Sequence, residues 1–204
     1  MAPHIDYYAS LNSPWTHLGA SRLEVIAARH GASVRIFPVD FGTIFPNSGG
    51  LPLPKRAPQR QAYRLMELER WRAHLGIPIR IKPRFFPAKE TQAAHCVIAA
   101  RETIGDGPAI ALAHRVLRAL WEEEKDTRDT ATLAMLIENA GLDAAALMAL
   151  AAEPRWSEQR LRDTQAALAR GVFGAPSYVI GEEIFWGQDR LEFVERRLAG
   201  NRPN

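Results

Sequence analysis

The chain has 204 residues, of which 47% are hydrophobic and 24% charged, and its formal net charge is +3 at pH 7. These values are typical of a globular protein that buries a substantial core. No run of about 18 apolar residues exists to cross a membrane, and Asp6 interrupts the start of the chain, so we expect neither a membrane anchor nor a signal peptide.

The first predicted elements are a strand over residues 4–8 and a helix that ends at Gly31. The strand is rich in aromatic and branched residues, and apolar residues then recur at helical spacing. Ser13 can cap this helix, with Pro14 at its first position, where a missing N–H has no cost. A helix N-terminus beside a small hydroxyl residue stabilises an anion. An ordinary Ser-Pro helix start without a function remains the alternative.

The middle of the chain is predicted to be helical. A second strand over residues 34–39 is followed by a loop, rich in Gly and Pro, from Phe41 to about Pro58. No convincing strand then occurs before Arg170. The Ala, Leu, Glu and Arg content and the apolar spacing predict helices over residues 60–75, 89–104, 109–123, 130–140, 144–151 and 157–169.

The segment from Lys55 to Arg84 is basic. It holds nine Lys and Arg residues against only Glu67 and Glu69. A solvated helix face explains most of these residues, while a basic rim around a pocket for small anions is the functional alternative. We expect no nucleic-acid partner, because no aromatic–basic interleaving or recognised binding module accompanies the charge.

Cys96 is the only cysteine, so no internal disulfide can form. It lies in an apolar helical run, which favours a small buried thiol over a reactive one. Dithiol–disulfide exchange by the protein itself is excluded, because that chemistry needs a second thiol. A cytoplasmic, reducing setting is consistent with this cysteine usage. The histidines have no metal-ligand spacing, and we expect no metal site.

The last predicted elements are a hairpin and a helix. Pro176 stands at the head of an apolar strand, where its absent N–H is tolerated. A cis bond before Pro176 would leave the N–H and C=O of Ala175 free for a peptide-like ligand, whereas a plain trans proline is the alternative. Asp189 precedes the final amphipathic helix, either as an ordinary helix-start acid or as a receptor for an ammonium group.

Taken together, the elements predict a small sheet covered by helices and interrupted by a helical insertion. We assign residues 1–45 and 165–204 to the sheet domain and residues 46–164 to the insertion domain.

Several motifs, in their order and spacing over nearly the whole chain, resemble one family. They are Ser13-Pro-Trp15 after a strand, Tyr63, Glu69-Arg-Trp71, Leu75-Gly-Ile-Pro78, Phe85-Phe-Pro87, Val172-Phe-Gly-Ala-Pro176 and Phe185-Trp-Gly-Gln-Asp-Arg190. The chain resembles the DsbA-type thioredoxin superfamily, and within it the kappa-class glutathione transferases and, most closely, the 2-hydroxychromene-2-carboxylate isomerases. Ser13 and Thr16 stand where redox members carry the two cysteines.

The resemblance implies an α/β thioredoxin-like fold with an all-helical insertion domain, and a homodimer. It also implies glutathione as a cofactor and a small aromatic carboxylate as the substrate. The expected reaction is the glutathione-dependent cis–trans isomerisation of a 2-hydroxychromene-2-carboxylate to the trans-o-hydroxybenzylidenepyruvate in aromatic-compound degradation. A kappa-like transferase or peroxidase and a non-catalytic thioredoxin-like binding module are the alternatives.

The resemblance also implies roles for individual residues. Ser13 is expected to hydrogen-bond the glutathione sulfur and to be the catalytic residue. Arg60 falls where the relatives use a lysine for the glycine carboxylate. The remaining expected glutathione contacts are Gly174, Ala175, Pro176, Gln188, Asp189 and Arg190, with Asp189 taking the ammonium group.

At the substrate end, Trp15, Phe85, Phe86 and Trp186 are expected to supply flat apolar walls, although aromatic residues at such positions are more often core. The asparagine that contacts ligand in the relatives has no clear equivalent. Asn47 is its nearest substitute, so this sequence departs from the family pattern at the substrate end.

Overall fold

A four-stranded mixed sheet lies at the centre of the computed structural model, which describes residues 3–200. The strand order is β2-β1-β3-β4, with β1 and β2 parallel and the other neighbours antiparallel. The strands are β1 (His4–Ala9), β2 (Ser33–Pro38), β3 (Ser177–Ile180) and β4 (Glu183–Trp186). Pairing β1 with both β2 and β3 brings the two ends of the chain into one sheet.

Nine α-helices surround this sheet within residues 3–200. They are α1 (Pro14–Arg29), α2 (Phe41–Ser48), α3 (Pro58–Leu75), α4 (Thr91–Thr103), α5 (Asp106–Trp121), α6 (Thr130–Asn139), α7 (Ala144–Ala151), α8 (Pro154–Ala169) and α9 (Leu191–Leu198). All of them except α2 agree with the sequence prediction, with boundaries shifted by a few residues. In the part of the chain that the structure describes, none is long and apolar enough to span a membrane.

Helix α2 corrects the prediction of a continuous loop between Phe41 and Pro58. Asp40 caps it by accepting hydrogen bonds from the Gly42 N–H and the Thr43 hydroxyl, both at 2.9 Å. Phe41 and Ile44 lie on one face of the helix and are buried. The loop prediction was wrong for residues 41–48 because the helix-breaking residues concealed a cap and a short apolar face.

One hydrophobic cluster joins the sheet to the helices. It contains Ile5, Tyr7 and Ile36 from the strands together with buried residues of α4 to α7. Helices α4 and α5 both pack on β2, and α5 also packs on α1. The buried core therefore extends across the boundaries assigned to the insertion domain, and that division stays a prediction.

Helix α1 approaches β3 closely at Gly19. A Cβ atom at this position would lie 2.6 Å from the Tyr178 hydroxyl and 3.1 Å from Cβ of Gln188. Tyr178 is fully buried and stacks on Tyr7 with ring centroids 5.4 Å apart, so it has little freedom to move away. Only glycine fits this contact between the helix, the strand and the turn after β4.

Cys96 lies on α4 and has no solvent exposure. Burial raises the pKa of its thiol to about 12. Its thiolate is therefore scarce at neutral pH, as expected for a structural cysteine rather than a nucleophile.

Candidate functional site

A cleft of about 530 Å³ opens between the first turn of α1, helix α3 and the turn after β4. Both apolar and charged side chains line it. They are Trp15, Arg56, Gln59, Arg60, Tyr63, Arg64, Glu67, Trp71, Ala175, Trp186, Gly187, Gln188, Asp189 and Arg190. Its volume and mixed lining are those of a small-molecule site.

Ser13 is the N-cap of α1, as the sequence predicts. Its Oγ accepts a hydrogen bond from the Thr16 N–H at 3.3 Å, and Pro14 opens the helix. Among residues 3–200 no acceptor takes the Ser13 hydroxyl proton, so the group can still donate to a ligand. Ser13 does not itself line the cleft, whereas Trp15 in the same turn does.

The loop before β3 contributes peptide groups to the cleft. The bond between Ala175 and Pro176 is cis, the conformation that the sequence left open. The Pro176 carbonyl accepts from the Gly187 N–H at 2.9 Å, which ties this loop to the turn after β4. Within the described chain, neither the N–H nor the C=O of Ala175 has a partner. A peptide-like ligand can therefore pair with both groups.

The turn after β4 brings one acid and one base to the cleft rim. Asp189 lies 3.1 Å from Arg190, and both side chains are about half exposed. Gln188 is buried, and its Oε1 accepts a hydrogen bond from Arg22 at 2.6 Å. Gln188 is therefore held in place by α1, while Asp189 and Arg190 are free to meet a ligand.

Three arginines at four-residue spacing line the cleft on helix α3 and just before it. Arg56 precedes the helix, and Arg60 and Arg64 follow on the same side, since residues four apart share a helix face. In residues 3–200 none of the three forms an ion pair. Glu67, the acid nearest along the helix, is engaged by Arg70. The cleft therefore carries an excess of positive charge, and three of the nine basic residues of segment 55–84 supply it.

Four aromatic side chains form the apolar walls of the cleft: Trp15, Tyr63, Trp71 and Trp186. Trp186 is half exposed and packs on Phe173, with ring centroids 4.7 Å apart. Its indole lies so close to Gly174 that a Cβ there would be 2.2 Å from the indole nitrogen. Gly174 is thus needed to seat Trp186 against the cis-proline loop.

Some residues expected in the site do not line the cleft. Phe86 packs on Trp121 below the cleft, with ring centroids 4.9 Å apart, and Phe85 belongs to the same apolar cluster. Asn47 lies on α2 and donates to the Thr43 carbonyl at 2.9 Å. Gly174 and Pro176 are the sequence neighbours of Ala175, but they are not among the residues that line the cleft. Contacts from these residues to a ligand stay predictions.

The sequence analysis assigned no binding role to six cleft residues that lie on α3 or just before it. They are Arg56, Gln59, Tyr63, Arg64, Glu67 and Trp71. The signal that could have found them is their spacing of three to four residues, which aligns basic and aromatic side chains along one helical face.

A buried carboxylate secures the chain just before Ser13. Glu90 accepts hydrogen bonds from the Ser10 hydroxyl at 2.8 Å and the Asn12 N–H at 3.0 Å, and it pairs with Arg160 at 2.9 Å. Burial raises the pKa of Glu90. Asn12 in turn accepts from the Ala88 N–H at 2.9 Å and donates to the Ala88 carbonyl. Segment 88–90 thus fixes the connection that leads into α1.

No group of three or more His, Cys, Asp and Glu residues that could hold a metal ion occurs within residues 3–200. The described residues at and beside the cleft supply hydrogen-bonding groups, fixed charges and the N-terminus of α1.

Comparison with known proteins places these features in a wider group. Residues 4–199 match the family model for a DSBA-like thioredoxin domain. A 2-hydroxychromene-2-carboxylate isomerase from Sphingobium xenophagum is 30% identical over 199 residues, covering 97% of this chain and 99% of that protein. Glutathione S-transferase kappa 1 from Homo sapiens is 24% identical over 205 residues, covering 96% and 90%.

A solved structure of a 2-hydroxychromene-2-carboxylate isomerase is similar throughout. It superposes with a TM-score of 0.83 at 25% identity, covering 97% of this chain and 95% of that one. The mixed sheet and the helices between β2 and β3 therefore belong to a fold that this isomerase also has.

Proposed function

Because this chain belongs to the DSBA-like thioredoxin domain family, with isomerases among its full-length relatives, we propose that it is a glutathione-dependent isomerase. Its substrate would be a 2-hydroxychromene-2-carboxylate, converted to the trans-o-hydroxybenzylidenepyruvate in the degradation of aromatic compounds. One observation carries the proposal: Ser13 caps α1 beside a cationic cleft, in a chain whose only thiol is buried. A reactive sulfur then has to come from a bound molecule.

The polar groups of glutathione each have a complementary group at the cleft, which supports the proposal. The unpaired N–H and C=O of Ala175 suit the cysteinyl backbone of a tripeptide. Asp189 suits the γ-glutamyl ammonium, and Arg190 lies beside it for the neighbouring carboxylate. Arg60 suits the glycine carboxylate, which its forked guanidinium can bind through two hydrogen bonds.

Ser13 and α1 would act on the sulfur of the bound thiol. The free Ser13 hydroxyl donates a hydrogen bond to a thiolate, and the partial positive charge of the helix N-terminus favours the same charged form. A charge-assisted hydrogen bond contributes about 1.5–3 kcal/mol, or roughly one to two pKa units. When bound, glutathione supplies a thiolate nucleophile that adds reversibly to the conjugated substrate and is regenerated.

The aromatic walls suit the other reactant. Trp15, Tyr63 and Trp71 offer flat apolar surface for a bicyclic ring. Ser13 belongs to the same helix turn as Trp15, which supports a position for its hydroxyl close to this surface.

The first experiment measures glutathione binding by titration calorimetry and isomerase turnover with and without glutathione. We expect binding at millimolar or lower concentration and turnover that requires glutathione without consuming it. A chain that ignores millimolar glutathione would instead be a non-catalytic binding module.

The similarity to the human kappa-class transferase favours a second candidate, a glutathione transferase or peroxidase. This function consumes glutathione with an electrophilic halide or a hydroperoxide. Assays with an aryl halide and with cumene hydroperoxide separate it from the isomerase. Assembly as a homodimer and a cytoplasmic setting remain predictions of the sequence.

A further inference from the structure

Arg64 has a charge that nothing in the described protein neutralises. Its Nη2 is inaccessible to solvent and has no hydrogen-bond partner within residues 3–200. The guanidinium carbon lies 5.1 Å from the centroid of the Phe86 ring and 5.8 Å from that of Trp121. The side chain is therefore fixed on an aromatic support while it lines the cleft.

Arg64 is partly buried, and desolvating a cation without a counter-ion is costly, which makes such a residue in a cleft a candidate for a functional position. Burial and the nearby charge of Arg56 lower the pKa of Arg64 to about 10, so the group stays protonated at neutral pH. A hydrophobic side chain at position 64 would fill the same space without the free-energy cost of desolvating a charge. An anion that enters the cleft is the counter-charge that the position lacks.

Glutathione does not account for all of the positive charge. If its glycine carboxylate takes Arg60 and its γ-glutamyl end takes Asp189 and Arg190, then Arg56 and Arg64 are left. Arg56 already donates through Nε to the Leu51 carbonyl at 2.8 Å. Arg64 lies one turn beyond Arg60, about 6 Å along the helix axis, which is room for a second carboxylate.

The neighbourhood of Arg64 indicates what carries that carboxylate. The Arg64 guanidinium lies over Phe86 and Trp121 on one side, and Trp15 and Trp71 line the cleft beside it. A flat ring with a carboxylate attached satisfies both features, since the ring contacts the aromatic walls and the carboxylate meets the guanidinium.

We propose that Arg64 binds the carboxylate of the planar aromatic substrate and thereby determines specificity for aromatic carboxylates over uncharged rings. This inference rests on the proposed function and adds a second anion site to the cleft beside that of glutathione.

The test measures the binding of chromone-2-carboxylate, a stable flat analogue, by titration calorimetry. Arg64→Gln should weaken this binding about 10- to 100-fold, the loss expected for one charge-assisted hydrogen-bonded pair. Arg64→Lys should give an intermediate affinity, because lysine keeps the charge but loses the fork. Arg72→Gln removes an exposed arginine of the same helix and should leave the affinity unchanged.

Two further measurements exclude a merely structural role for Arg64. The affinity of Arg64→Gln for glutathione should stay within about twofold of wild type, and uncharged chromone should bind wild type and variant equally. The thermal midpoint should not fall, since the substitution removes an uncompensated buried charge.

The inference is overturned if wild type does not bind chromone-2-carboxylate, if Arg64→Gln binds it as wild type does, or if glutathione affinity falls by the same factor. Failure of the proposed function would give a different result: wild type would bind the analogue through Arg64 but show no isomerase turnover.

Discussion

A serine hydroxyl can accept and donate a hydrogen bond at once, and Ser13 uses only the accepting role within the described protein. Its oxygen satisfies a helix N–H, and its proton remains available at the end of α1. A cysteine at this position could itself be a sulfur nucleophile, whereas a serine offers only a hydroxyl. In the proposed function, the sulfur therefore comes from a bound thiol, and the Ser13 hydroxyl stabilises it.

Ser13→Ala should lower turnover at saturating glutathione about 10- to 100-fold, because the sulfur loses its hydrogen-bond donor. The lost cap should reduce the free energy of unfolding by about 1 kcal/mol. Steady-state kinetics and urea unfolding measure the two effects.

The matched control is Asp143→Ala. Asp143 caps α7 by accepting from the Ala146 N–H at 2.9 Å, on an element that does not line the cleft. This variant should lose similar stability and keep full turnover. Equal loss of turnover in both variants would remove Ser13 from the mechanism.

At the scale of elements, segment 88–90 holds the connection between β1 and α1 from the side. Asn12 satisfies both backbone groups of Ala88, and Glu90 satisfies the Asn12 N–H. The position of Ser13 thus depends on contacts with residues almost 80 positions away in the sequence. Secondary structure alone would leave this connection free to vary.

Asn12→Ala should lower the free energy of unfolding by about 1–3 kcal/mol, because it leaves both polar groups of Ala88 without partners. Chemical denaturation measures this loss, and hydrogen exchange should show faster exchange of the Ala88 amide. Asn47→Ala is the stability control, since Asn47 is exposed and its only hydrogen bond within residues 3–200 is to the Thr43 carbonyl of the same helix. A loss below about 0.5 kcal/mol for Asn12→Ala would contradict the fixing role of segment 88–90.

Ion pairs around Glu123 stabilise the C-terminal end of helix α5. Arg115 donates to both carboxylate oxygens of Glu123, at 2.6 and 2.9 Å, and Lys125 also pairs with this acid. Hydrogen bonds from Arg115 lower the pKa of Glu123 to about 2. A carboxyl with a depressed folded pKa stabilises the protein above its unfolded pKa, and this stabilisation is lost as the pH falls towards the folded value.

The free energy of unfolding should therefore decrease between pH 4.5 and about 2, with Glu123 contributing about 1–2 kcal/mol after allowance for its partial exposure. Glu123→Gln should differ from wild type at pH 6 and approach it in acid. Urea unfolding across this range measures the difference. A constant difference at every pH would show that the Glu123 carboxylate is not stabilised by its partners.

For the molecule as a whole, the cleft lies where distant parts of the chain meet. Its walls come from the first turn of α1, the middle of α3 and the segment 175–190. A ligand that binds all three would connect helix α3, which packs only lightly on α1, to the first turn of α1 and to segment 175–190. Binding to the folded state alone raises the free energy of unfolding.

Glutathione at about 100 times its Kd should stabilise wild type by about 2.7 kcal/mol. Asp189→Asn should lower glutathione affinity about tenfold and reduce this stabilisation at the same concentration, because the ammonium group loses its counter-charge. Differential scanning calorimetry measures the shift. Glu192→Gln is the control, because Glu192 is exposed and, among the residues that the structure describes, pairs only with Arg196 on α9. A glutathione-induced shift that is the same in wild type and Asp189→Asn would exclude Asp189 from the binding site.

Much of the fold follows from local patterns, which is why the sequence predicts it. The Ser13 cap, the Ala- and Leu-rich helices and the turn before Pro176 are each encoded within a few residues. Helix α2 was missed because Gly42 and Pro46 lower its helix propensity, while its stability comes from burial of Phe41 and Ile44.

The site is less predictable, because it depends on which faces meet. The spacing of Arg60, Arg64 and Trp71 defines a helical face, yet nothing local reveals that this face is opposite Ala175. Phe86 could equally have lined the cleft. Its contact with Trp121, 35 residues away, places it beneath Arg64 instead.

The absence of a side chain at Gly19 has a consequence for the spacing of the two halves of the cleft. One extra methyl group there would press on Tyr178 and Gln188 and wedge α1 away from the turn that carries Asp189. The proposed tripeptide would need both anchors, the tip of α1 and that turn, at a fixed separation. The absence of a side chain at Gly19 thus sets the distance between these two sides of the cleft.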